Sequence, residues 1–296
     1  MKPAIGWRVL KHHLQHIETM PRLFLLFSLL FVVLFVPRTT AQPTLLKDIN
    51  QVKAGSGTSA MYPLGGIALF SNQDVAHGGE LWITDGTFAG STLLKDILPG
   101  AEGSGPSFRI AFAGKWFFVA DDGQHGREIW TTDGTAAGTQ MLLDIQAGEG
   151  SSVPDYFTEF NGKLYFSAND GVNGRELWET DGTAAGTVLF KDIAPASASS
   201  SPRQKIVAGN KMFFVANNGS TGNELWVSDG TSGGTSLLKD IRSGAAASNP
   251  YTYALLGSNL LFNANDGTHG DEIWITDGTN LGTQLLQEIV PGSGSS

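Results

Sequence analysis

Aspartate, glutamate and histidine return at fixed spacing along this 296-residue chain, and they are the side chains through which it could do chemistry. Three loops, ADDGQHGRE at 120–128, ANDGVNGRE at 168–176 and ANDGTHGDE at 264–272, crowd Asp, Asn, His and Glu into one short stretch each. Oxygen-rich loops of this kind can hold calcium, which makes Asp122, Asp170 and Asp266 candidate ligands. Their spacing is not that of an EF-hand, whose acids alternate and end on a bidentate glutamate. The fourth copy carries Asn218 in the same place, and the first has Asp74 without the following glycine. An ordinary hairpin loop, with the Asp bonded to its own backbone, is the competing reading and the one the pattern favours.

His77, His125 and His269 share one slot of that loop, filled elsewhere by Asn173 and Thr221. A catalytic or metal-binding set must converge on one point, whereas these residues occur once per copy, far apart in sequence. Within the repeats there is no H-x-x-x-H or basic phosphate-cradling loop, and no histidine stands out as a base for a serine. The chain has no cysteine, which removes disulfides, thiolate zinc sites and cysteine nucleophiles together. Lys+Arg of 19 against Asp+Glu of 28 gives a net charge of −9, the wrong sign for a phosphate-binding surface. The expectation is a protein that is not an enzyme, needs no cofactor and does not bind nucleic acid.

The elements that position these residues repeat as well. ELWITDGT at Glu80 to Thr87 returns as EIWTTDGT, ELWETDGT, ELWVSDGT and EIWITDGT, and Trp82, Trp130, Trp178, Trp226 and Trp274 keep a strict 48-residue period. A fixed period without insertions marks a repeat architecture. Each unit continues to an LLKDI-like tail ending at Ile97, Ile145, Ile193, Ile241 or Ile289, and one more tail stands alone at Thr44 to Ile49. In the third unit four short apolar runs, Tyr156 to Phe160, Lys163 to Ala168, Glu176 to Thr180 and Thr187 to Ile193, alternate with turn-forming residues such as Asn161-Gly162. Runs this short are strands. The fold expected is all-β, a β-propeller built from 48-residue four-stranded blades, five complete repeats plus one extra strand.

Each repeated residue then has a structural role to fill. The five tryptophans are large plates suited to packing between blades. Asp85, Asp133, Asp181, Asp229 and Asp277, each before Gly-Thr, suit turns in which the carboxylate accepts backbone N–H groups. Glu80, Glu128, Glu176, Glu224 and Glu272 lie two positions before Trp, on its strand face. Buried there, they need a backbone amide or a cation, and the tail lysines Lys95, Lys191 and Lys239 cannot be the general partner because Leu143 and Gln287 replace them. The tail acids Asp48, Asp96, Asp144, Asp192, Asp240 and Glu288 are placed on the outermost strand, where charge discourages edge pairing. The connections at 98–107, 146–155, 194–203 and 242–251 vary most and are expected to carry function.

The pattern E-L/I-W-x-T/S-D-G-T-x-x-G-T/S resembles the bacterial ELWxxDGT repeat family, and its cadence is similar to TolB-like β-propeller blades, over residues 44 to 296. The resemblance implies the propeller fold and is nearly silent on activity.

Leu23 to Val36 form an uncharged apolar run after Arg22, with Thr39-Thr40-Ala41 as a small-residue cleavage site. This reads as a signal peptide over 1–41, with Met20 as the start that gives an ordinary n-region. It is too short for a membrane span, so the mature chain 42–296 is expected to be exported, to the periplasm, cell surface or medium, without a span. Its lone tail strand anticipates a further blade whose inner strands lie beyond Ser296; a five-bladed ring with a spare strand is the alternative. The function expected is a non-enzymatic binding or surface-interaction module for a protein or glycan. The alternatives are a calcium-stabilised adhesin-type repeat and a propeller hydrolase or lyase.

Overall fold

The structure is a computed structural model and describes residues 61–289, 291, 292 and 294. The leader at 1–41 and the tail at Thr44 to Ile49 lie outside the described residues.

Among the described residues twenty strands form five four-stranded antiparallel sheets, one per repeat, each in plain chain order. The third is typical: Asp155–Phe160, Lys163–Asn169, Arg175–Thr180 and Val188–Lys191. Its first two strands meet at Asn161-Gly162, both in the left-handed region at φ of 49° and 73°, the geometry of a two-residue hairpin turn that Asn-Gly suits. The first strands of successive sheets neighbour one another, so each sheet is a blade and the first strands are innermost. The protein is a β-propeller, as the period predicted.

Period-two alternation gives each blade two apolar faces. One face of the third blade presents Leu164, Phe166, Ala168 and Trp178 to Phe112, Phe117, Ile129 and Ile145 of the second. The other presents Phe160, Tyr165, Leu177, Phe190 and Ile193 to Met212, Phe214, Ala216 and Trp226 of the fourth. The same scheme joins the first blade to the second and the fourth to the fifth. All five tryptophans are buried. Removing one such plate costs about 3–5 kcal/mol by the usual scale for buried aromatic truncation.

In the third, fourth and fifth blades the second residue of the innermost strand is also left-handed: Tyr156, Gln204 and Thr252 have φ of 53°, 52° and 50°. The ladder to the second strand shifts register there. This bulge re-aims the side chains at the mouth of the innermost strands.

Candidate functional site

The repeated glutamates are buried completely, and their partners are backbone amides and serines. Glu128 accepts the Ile145 N–H at 3.0 Å, the Ser152 N–H at 2.8 Å and the Ser152 hydroxyl at 2.5 Å. Glu80 takes the Ser104 N–H at 2.8 Å and its hydroxyl at 2.6 Å, and Glu176 and Glu224 repeat the pattern with Ser200 and Ser248. Burial pushes Glu128, Glu176 and Glu224 above the usual carboxylate range, against the lowering effect of those bonds. The tail lysines are not the partners: Lys95 and Lys239 donate instead to the Thr139 and Thr283 carbonyls of the next blade, at 2.7 and 2.5 Å.

This geometry gives one residue of each connection a structural role. The serine that bonds each glutamate, Ser104, Ser152, Ser200 or Ser248, sits at the same 24-residue separation from it every time and is a fixed structural element of the connection. The placement of the tail acids is corrected. Asp144 and Asp240 lie just past the outermost strand, and each accepts a connection N–H, from Gly148 and Gly244 at 3.0 and 3.1 Å. They cap the turn out of the blade.

The Asp-Gly-Thr turns are built as the sequence indicates. Asp85, Asp133, Asp181, Asp229 and Asp277 each accept the N–H and hydroxyl of the Thr two positions on. Those bonds hold the carboxylates below their ordinary range. A buried hydroxyl pair closes each loop, Thr132 to Thr139 at 2.7 Å in the second blade and Ser228 to Thr235 at 2.6 Å in the fourth.

In the loops proposed for calcium, Asp122 Oδ1 accepts the Gln124 and His125 N–H groups, both at 2.9 Å, and Oδ2 meets His125 Nδ1 at 2.8 Å. Asp266 does the same with Thr268 and His269. Asp170 bonds the Asn173 amide, and Asn218 bonds Thr221, so three residue types fill one slot with one function. Among the described residues no three Asp, Glu or His side chains are grouped to hold a metal ion. Facing Asp raises His77, His125 and His269 above the ordinary imidazole range.

Residues that break the repeat meet between the innermost strands of the third and fourth blades, and the sequence reading missed them. Lys205 reaches back from Arg203–Ala208 to donate to the Tyr156 carbonyl at 3.1 Å, Ser167 Oγ at 3.0 Å and the Pro202 carbonyl at 3.3 Å. Its ammonium also stands 5.7 Å from the Tyr156 ring centre. Burial brings Lys205 down to about 7; Asp155 opposes this and Arg175 adds to it. Arg175 pairs with Asp155 and donates to the Val153 carbonyl at 2.8 Å. The signal was available: position 205 corresponds to Arg109, Phe157 and Tyr253 in other units. Arg175 and Asp155 hold each other within the third blade and Lys205 reaches that blade from the fourth, while Tyr156 remains 46% exposed. Tyr251, which like Tyr156 closely follows a connection proline, is 39% exposed.

Blades of this construction define the class as a β-propeller. The chain matches no family model and no curated protein. Its fold is similar to that of oligopeptidase B from Leishmania major, at 13% identity and TM-score 0.50, covering 86% of this chain and 37% of that one. A puromycin hydrolase matches at 16% identity and TM-score 0.47, covering 83% and 40%. A computationally designed protein, Ika8, matches at 16% and 0.43, covering 80% and 64%. The chain spans less than two thirds of each, and the likeness concerns the fold alone.

Proposed function

We propose that this protein is an exported, non-enzymatic propeller of the ELWxxDGT repeat type that binds a glycan or protein at the connection end of its innermost strands. The observation that carries this reading is the pair of exposed tyrosines, Tyr156 and Tyr251, held on rigid strands at positions where the repeat is broken. Aromatic rings with an apolar face and a polar tip suit stacking against sugar rings or partner side chains at low entropic cost. The titratable groups beside Tyr156 favour binding over catalysis, because Lys205, Arg175 and Asp155 already hold one another and the backbone.

The test is calorimetric titration of the chain with a panel of neutral and acidic oligosaccharides, repeated with Tyr156→Ala and Tyr251→Ala. Saturable binding weakened about tenfold by either change, roughly 1.4 kcal/mol, supports a glycan site. Binding to none of them moves the partner to the protein class. Cleavage of an oligosaccharide during titration refutes the non-enzymatic reading.

A further inference from the structure

Four times in this chain the face of one blade that carries the tail residues is covered by the tryptophan face of the next. The fifth blade has the same face without its cover. Leu286 is 51% exposed and Ile289 53%, while their equivalents Leu238 and Ile241 in the fourth blade are 3% and 7%. Leu256, 59% exposed, corresponds to Phe112, Phe160 and Ala208, all buried.

The polar equipment of the interface is present as well. The third and fourth blades send donors to the turn of their successors. Lys191 reaches the Ser232 carbonyl at 2.9 Å, Asn161 the Asp229 carbonyl at 3.1 Å, and Lys211 the Gly278 carbonyl at 2.9 Å. Gln287 and Asn259 hold the corresponding positions in the fifth blade, and both can donate. Apolar residues at the expected places, with donors at their rim, match a surface whose complement is already known from the other four junctions.

We infer that this face is a docking surface for a further blade of the same 48-residue pattern, one that presents a tryptophan and the alternate apolar residues of its second strand. Continuity with the four existing junctions selects that occupant. A second copy of this chain offers no free tryptophan face, because Trp82 and Phe70 of its first blade are buried.

The absence of cysteine permits a direct test. Leu256→Cys, and separately Ile289→Cys, is made in the present chain and in the same chain lengthened after Ser296 by a copy of residues 249–296. Labelling of the thiol is then timed at low and high protein concentration. The expected result is free-thiol labelling in the present chain at every concentration, and labelling slowed about a hundredfold in the lengthened one, as for a buried group that must open to react. Thiols protected in the present chain at every concentration would mean that the chain covers the face itself, and the proposal fails. Protection that grows with concentration would give the face to a second copy, against the proposal. Rapid labelling in the lengthened chain, whether the added unit folds elsewhere or not at all, also overturns it.

Discussion

Ser152 ties two blades together through Glu128. Its N–H and hydroxyl both bond the Glu128 carboxylate of the second blade, while its carbonyl accepts the Asn169 N–H of the third at 3.1 Å. Ser104, Ser200 and Ser248 do the same between their own pairs of blades. The connection is therefore part of the framework.

Breaking one such tie should be costly and specific. Glu176→Gln turns an acceptor oxygen toward N–H donors as another donor, and should lower stability by about 2–3 kcal/mol; Ser200→Ala, which keeps the backbone bond, should cost about 1 kcal/mol. Chemical denaturation at neutral pH reads both. Equal effects would show that the carboxylate's backbone bonds contribute nothing beyond the hydroxyl.

The His-Asp loops set a pH window. Burial alone would raise Asp122, but the bonds from His125 and Gln124 bring it below 3.8, and Asp122 in turn raises His125 above 6.5. A lowered Asp stabilises the fold above its unfolded value and loses that effect as pH falls through the folded one. A raised His stabilises it below its unfolded value and loses that effect as pH rises through the folded one. Their joint contribution is greatest between about 4 and 6.5. His125→Asn imitates the third blade, where Asn173 does the same work without titrating. The melting temperature of the parent relative to the variant should fall between pH 6 and 8; a flat difference refutes the linkage.

Lys205 should titrate near 7, visible by NMR of its side-chain resonances. Its pKa is lowered from 10.5, so between those values the folded state binds fewer protons than the unfolded one and stability gains with rising pH. In Lys205→Met that gain should disappear. A lysine titrating at its ordinary value would show that water reaches the ammonium.

The glycine that closes each Asp-Gly-Thr turn is fixed by sterics. A Cβ on Gly186 would meet Asp181 Oδ1 at 2.1 Å, whereas one on Gly66 meets nothing within 4 Å. Gly186→Ala should lower the melting temperature by several degrees, for a strain of about 1–3 kcal/mol, and Gly66→Ala should change it little. Equal melting points would show that the turn yields freely.

The fold was legible because its determinants repeat. Trp178 and Asp181 each state a local preference, and their recurrence at a 48-residue period turns weak preferences into one architecture. The partner of the buried glutamates was not legible, because Ser152 is one of two adjacent serines in its connection and only its 24-residue separation from Glu128 distinguishes it. The cluster of Lys205, Asp155 and Arg175 was hidden for the opposite reason. Lys205 and Asp155 have no counterpart in the other units, and Lys205 meets the pair of Asp155 and Arg175 only because innermost strands of successive blades run side by side.

The tie between Glu128 and Ser152 has a consequence for chain length. The carboxylate must reach an amide at a fixed 24-residue separation, in a connection whose carbonyl must reach the next blade, and that stretch has no slack to gain or lose a residue. Built from such links, that half of every repeat keeps one length from unit to unit, as a ruler would set it.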